Sequence, residues 1–120
     1  MKYICLIYSD ESANAKPGTP EFGEVMTAYG AFGQLINEKG VHVAGEPLEH
    51  TNTATSVRVR DGETHLTDGP FAETKEQLGG FYILDCANLE EALGYAAKIP
   101  SATHGTIEVR PLMSIPGLTD

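Results

Sequence analysis

Between Thr67 and Gly80 the chain reads TDGPFAETKEQLGG, a run dense in groups that can do chemistry. Asp68 has two roles open to it. As a carboxylate in a cleft it could move a proton. As an Asp before Gly it could instead cap a turn by accepting neighbouring backbone N–H groups, and the Gly69-Pro70 that follows fits the turn better. Phe71 is either the wall of a pocket or a plug in an interface. Glu73, Lys75 and Glu76 make a charged loop that is solvated or recognises a ligand, and structureless loops of this length in small domains often carry function. Two further residues join these candidates. Arg110 alternates with Ile107 and Val109, so it either binds a carboxylate or pairs with a Glu or Asp of the chain. Tyr29 lies on an apolar helical stripe, as a core residue or a proton donor whose hydroxyl needs a partner if buried.

Other chemistries lack their spacing. His42, His50, His65 and His104 stand in no ligand pattern, and no Cys/His spacing suggests zinc, so neither metal nor cofactor is expected. His65 reads as an ordinary surface side chain. There is no nucleophile elbow, and Gly79-Gly80 leads into a strand rather than a helix, unlike a dinucleotide loop.

A chain of 120 residues suits one domain. Its formal net charge of −9 argues against a nucleic-acid partner and against an anionic membrane surface. No apolar run approaches transmembrane length. The start, MKYICLIYSDESANAK, meets charges too soon for a signal peptide and reads as the first strand of a cytoplasmic protein. Cys5 and Cys86, both in apolar runs, read as buried reduced thiols.

The elements that must position these residues follow from periodicity. Lys2 to Tyr8 is almost continuously apolar, a strand buried on both faces. Thr19-Pro20 opens a helix with an N-cap and a proline at the first position, and Gly40 ends it. Its apolar stripe is Phe22, Val25, Met26, Tyr29, Phe32, Leu35 and Ile36, and Gly23, Gly30 and Gly33 suggest close packing. Val41 to Gly45 is a second strand. Ala54 to Arg60 alternates and meets Asp61-Gly62, a two-residue hairpin signal. That turn pairs Arg60 with Glu63, Val59 with Thr64, Arg58 with His65 and Val57 with Leu66, with Val57 and Leu66 facing inward. Phe81 to Cys86 is a strand apolar on both faces. Asn88 caps a helix whose buried stripe is Leu89, Ala92, Leu93, Ala96 and Ile99, ended by Pro100. Thr106 to Met113 is the last strand, and 114–120 reads as a loose tail beyond a domain spanning 1–113.

The order is β-α-β, an inserted hairpin, then β-α-β: an α+β, ferredoxin-like split βαβ. Two helices cover only one face of such a sheet, yet its central strands are apolar on both. A second copy is the simplest cover, so a homodimer is expected.

Asp68-Gly69-Pro70-Phe71-Ala72-Glu73-Thr74-Lys75-Glu76-Gln77-Leu78-Gly79-Gly80-Phe81-Tyr82 resembles the hallmark of the DGPF-type branch of the YCII-related family. Val57 to Gly62, Ala44 to Leu48 and Glu108 to Pro111 resemble it too, and the likeness runs from Lys2 to about Met113. It implies a dimeric α+β barrel with two sheets face to face. Some relatives in that family use a His on the first helix and an Asp after the second. Here Ala28-Tyr29-Gly30 and Ile99-Pro100 stand near those places, so that acid–base pair does not carry over. The preferred reading is a small-molecule-binding or minor enzymatic role at a cleft at the dimer, rimmed by the DGPF loop, with Tyr29, Asp68, Phe71, Lys75 and Arg110, singled out above by residue type, as ligand-binding candidates. The alternative is a non-catalytic accessory or regulatory dimer module, since such relatives occur beside or fused to sigma-factor-like regulators.

Overall fold

A computed structural model describes residues 1–119. Six strands and two helices follow in the order β1 (Lys2–Ser9), α1 (Pro20–Glu38), β2 (His42–Pro47), β3 (Thr55–Arg60), β4 (Glu63–Asp68), β5 (Gln77–Asp85), α2 (Leu89–Ala96) and β6 (Thr106–Pro111). Four strands form an antiparallel sheet in the order β2-β5-β1-β6, while β3 and β4 pair only with each other. This is the ferredoxin-like split βαβ with an inserted hairpin.

Local chemistry sets the helix ends as the sequence predicts. The Thr19 hydroxyl accepts from the Phe22 N–H, Pro20 occupies the first turn, and Gly40 closes the helix at φ +70°. The Asn88 side chain accepts from the Glu91 N–H at the start of α2. α2 stops at Ala96, and the Ile99 N–H donating to the Ala96 carbonyl tightens the exit before Pro100.

The core lies between the sheet and the helices. Tyr3, Cys5, Ile7 and Leu84 from the strands meet Phe32 and Ile36 of α1, Ala92 and Ala96 of α2, and Ile99. The helical stripes are narrower than periodicity implies. Only Phe32 and Ile36 of α1 are buried, and Met26 is exposed. On α2 the small residues Ala92 and Ala96 face the sheet, which brings the helix in close, and the larger Leu89 and Leu93 fall to its flanks, 47% and 48% exposed. A Cβ added to Gly23, Gly30 or Gly33 would meet nothing within 4 Å, so these glycines do not serve close packing within the chain.

β5 begins four residues earlier than its apolar run. Gln77 and Leu78 pair with Ser9 and Tyr8, and Gly80 pairs with both Ile7 and Pro47. Gly80 is required by its neighbour strand: a Cβ there would lie 3.0 Å from the Glu46 carbonyl oxygen.

The hairpin register agrees with the sequence residue for residue: Arg60↔Glu63, Val59↔Thr64, Arg58↔His65 and Val57↔Leu66. Asp61 and Gly62 both take positive φ, 52° and 77°, as the tight primed turn demands. The expected burial of its apolar side is corrected. Val57, Val59 and Leu66 are 62%, 59% and 70% exposed, because no element among the described residues covers that face.

Past β6 the Leu112 N–H still donates to the Lys2 carbonyl. The segment expected to be loose contains a turn in which the Leu118 and Thr119 N–H groups donate to the Ile115 carbonyl.

The molecule is a slab measuring 49 × 45 × 19 Å with a radius of gyration of 16.5 Å. A compact chain of this length has a radius near about 13.6 Å. The excess reflects a two-layer body one sheet and one helix deep, with a hairpin that extends it sideways.

Candidate functional site

β1 alternates strictly: Tyr3, Cys5, Ile7 and Ser9 are buried under the helices, while Ile4, Leu6 and Tyr8 point the other way and stay half-buried. Directly opposed residues in antiparallel strands share a face. The side without helices is therefore laid out in rows. Ala44, Ile83, Ile4 and Arg110 form one row, Glu46, Phe81, Leu6 and Glu108 the next, and Leu78, Tyr8 and Thr106 a third. The centre of this face is apolar and its two edges carry charge.

Arg110 stands on that face at the edge strand, and its Nε donates to Oε2 of Glu108, two residues away on the same side. Of the two roles open to it, the chain supplies the internal ion pair. Its side chain is still 68% exposed, and only Nε is engaged among the described residues, so the other donors of the fork are free to meet a second partner. Thr106 donates to Oε1 of Glu76 at 2.8 Å, which ties the end of the Thr67–Gly80 segment to β6.

That segment is well fixed at both ends. The Gly69 N–H donates to the Ala54 carbonyl at 2.7 Å, and the Ser56 hydroxyl donates to the Gly69 carbonyl at 2.9 Å. Gly69 takes φ +108°, a conformation side chains resist, and this reverses the chain direction after β4. Further on, the Thr74 hydroxyl donates to the Glu76 carbonyl, and Gln77 Nε2 donates to the Thr74 carbonyl at 2.6 Å. Gln77 also accepts from the Glu11 N–H, while the Glu11 carboxylate accepts from both the N–H and the hydroxyl of Thr51. Three loops are thus laced together at one end of the sheet, with Glu11, which sequence reasoning passed over, as their link.

The reversal folds Phe71 over the polar side of the hairpin. The Arg58 guanidinium lies 5.5 Å from the centroid of its ring, which is 80% exposed. Ser56, Arg58, Arg60, His65, Thr67, Pro70 and Phe71 line a concavity of about 530 Å³ there. Phe71 is a wall of this hollow. His65, expected as an unremarkable surface group, is part of it. The signal was present in the register, which set His65 against Arg58; the turn that brings an aromatic ring over the pair was not legible.

The expectation for Asp68 is corrected. It is the last residue of β4, opposite Thr55, and its exposed carboxylate accepts no hydrogen bond from the described residues. The turn is held by backbone and by Ser56 instead. Asp68→Ala is accordingly expected to leave stability within about 0.5 kcal/mol of the parent in urea unfolding, as for a surface substitution without partners.

The other candidates are not brought together. Tyr29 sits on the helical side, its hydroxyl 2.6 Å from Ser101 Oγ, and packs against the core. Lys75 is exposed and makes no ion pair or hydrogen bond within the described residues. Among those residues no three His, Cys, Asp or Glu side chains gather as a metal site would require, and no helix is long and apolar enough to cross a membrane.

Comparison with known proteins adds three findings. Residues 1–116 match the family profile of the YCII-related domain. An uncharacterized protein of Rhizobium meliloti (strain 1021) is 43% identical over 114 residues, covering 93% of this chain and 92% of its own. The solved structure of 5-chloro-2-hydroxyhydroquinone dehydrochlorinase (TftG) from Burkholderia phenoliruptrix AC1100, in complex with 2,5-dihydroxybenzoquinone, is 14% identical, covers 94% of each chain and superposes with a TM-score of 0.49.

Proposed function

Because this chain belongs to the YCII-related domain family, and because one whole face of its sheet is left without helices, we propose that it acts as a homodimer that takes a small molecule between two such faces, for binding or a minor turnover. The two sheets then stack as a dimeric α+β barrel, with the DGPF segment at its rim. The uncovered face is the observation that carries this reading. Ile4, Leu6, Phe81 and Ile83 supply an apolar floor at the centre of the face, and Glu46, Glu108 and Arg110 supply charged edges. That composition suits a ligand site, which is mostly apolar with a few placed polar groups. Arg110 is the group on this face best suited to hold a ligand carboxylate, exchanging its internal pair with Glu108 for an external one. Asp68, Phe71 and Lys75 are assigned to the rim.

The test has two readings. Sedimentation at micromolar concentration is expected to give a dimer, and Leu6→Glu, which puts a charge in the middle row of the stacked faces, is expected to give a folded monomer. A wild-type monomer overturns the proposal. In a thermal-shift screen of small metabolites, a ligand that raises the melting temperature of the parent is expected to lose that effect in Arg110→Ala.

A further inference from the structure

Two of the three arginines in a chain of formal net charge −9 stand on one side of the β3–β4 hairpin, which pairs with no strand of the four-stranded sheet. The polar face of that hairpin is a ladder of opposed pairs: Ser56 with Thr67, Arg58 with His65, and Arg60 with Glu63. Glu63 is the single carboxylate in it, at the tip, and its nearest approach to His65 is 3.9 Å. Arg58 makes no ion pair within the described residues; its guanidinium rests on Phe71 alone. Among the described residues Arg60 donates only to its neighbour's carbonyl, that of Val59.

Surface arginines without carboxylates are common, and Arg58 and Arg60 are both exposed, but they share one concavity. Backbone and Ser56 bonds at Gly69, with its φ of +108°, fix the reversal that lays Pro70 and Phe71 along the ladder. The result is a hollow of about 530 Å³ with a cationic floor, hydroxyls at one end and an aromatic wall. Its size falls within that of small-molecule sites, roughly 300–1,000 Å³. From Ser56 to Arg60 the floor is about 13 Å long, enough for a metabolite and too short for a polymer tract.

We propose that this hollow binds a small organic anion. Its carboxylate or phosphate oxygens meet the guanidinium forks of Arg58 and Arg60, and its planar or unsaturated body lies along Phe71 and Pro70. An arginine fork matches two oxygens at once, which a lysine would not, and stacking on Phe71 holds Arg58 with its donors turned to the hollow. Thr67 offers its hydroxyl to a polar substituent at the far end, where the Ser56 hydroxyl, already donating to the Gly69 carbonyl, can still accept. In a chain this acidic, a local patch of like positive charge is also what lets an anion approach at all. The hollow shares Phe71 with the rim proposed above, but its floor is the arginines of the hairpin, and Arg110 of β6 does not line it.

Benzoate, phenyl phosphate, inorganic phosphate and benzyl alcohol are the probes, titrated into the intact protein and followed by NMR shifts of the His65 and Phe71 side chains. The two aryl anions are expected to saturate and benzyl alcohol not to. Arg58→Gln and Arg60→Gln, both at exposed positions, are each expected to weaken the aryl anions tenfold or more. Phe71→Leu is expected to bring phenyl phosphate down toward inorganic phosphate. If benzoate alone saturates, the head group is a carboxylate; if phenyl phosphate alone does, it is a phosphate. Saturation by benzyl alcohol with equal affinity overturns the proposal, as does binding unchanged in Arg58→Gln. A response lost in Arg110→Ala but kept in Arg58→Gln places the ligand on the sheet and also overturns it.

Discussion

Gly105→Ala is expected to lower the unfolding free energy by about 3 kcal/mol or more, the upper end for forcing atoms into a packed region. Gly105 immediately precedes β6, and its N–H donates to the Ser101 carbonyl at 2.7 Å. A Cβ at this position would lie 2.1 Å from the Tyr8 carbonyl oxygen, 3.1 Å from that of Ser101 and 3.2 Å from Ser9 Cβ. The nearest of these is backbone in a central strand, so no side chain can swing aside to relieve the clash. The strand entry must move, and with it Thr106, Glu108 and Arg110, which pair with Tyr8, Leu6 and Ile4. Urea unfolding of Gly105→Ala beside Gly94→Ala checks this. A Cβ on Gly94 meets nothing within 4 Å, so that change is expected to cost nothing. Equal stability of the two variants would remove the argument.

Cys5 is expected to be almost inert as a nucleophile while the chain is folded. It is fully buried beneath the helices, and burial first, then the neighbouring Cys86 thiol, push its pKa from 9.0 up to about 11. At pH 8 that leaves about a hundredfold fewer thiolates than an ordinary cysteine, before access is considered. Cys86 shifts in the same direction, through burial and then the Glu91 and Asp85 carboxylates. A thiol reagent at pH 8 should therefore label neither cysteine until urea unfolds the chain. The linkage has a definite sign. The unfolded chain loses the Cys5 proton near pH 9 and the folded chain only near 11, so the stabilisation is complete below 9 and lost as pH rises through 11. The loss is about 2–3 kcal/mol across that window. Tyr82, raised by burial and then by Tyr29, adds a loss of the same sign at alkaline pH. Cys5→Ala, less stable at neutral pH, should show a shallower alkaline decline. Fast labelling of the native protein at pH 8 would contradict the burial argument.

The parts of the structure that sequence made legible are those where a local rule determines the geometry. Asp61-Gly62 fixes a hairpin register to the residue because a two-residue turn leaves no slack. Thr19 and Asn88 mark helix starts because an orphan N–H needs an oxygen there. The inner face of β1 follows from its alternation with the helices in place. What escaped depended on distant partners. Leu78-Gly79-Gly80 reads as loop by propensity, yet it is strand, because Gly80 lets the β2 backbone pass close. Of the stripe Leu89, Ala92, Leu93, Ala96 and Ile99, the two leucines on α2 fall outside the core, because the sheet admits that helix near enough for its alanines. Of the candidate residues, Arg110 and Phe71 could be singled out by type. Their surroundings could not: Glu108 beside the first, and Arg58, Arg60 and His65 beneath the second, belong to turns and ladders that no single motif contains.

The separation of β3 and β4 from the four-stranded sheet has a consequence for how the chain opens. A lone two-stranded ribbon in water is marginally stable, and this one exposes Val57, Val59 and Leu66 on one side. Its ladder can come apart without breaking a single bond of the β2-β5-β1-β6 ladder, so it forms a cooperative unit with its own, smaller free energy of opening. Its amides then exchange with solvent through that local event while those of β1 wait for global unfolding. Anything that settles on either side of the ribbon, whether an anion on its arginines or an apolar surface on its valines, draws on the same local equilibrium. Occupancy of one side therefore favours occupancy of the other, with no change elsewhere in the fold.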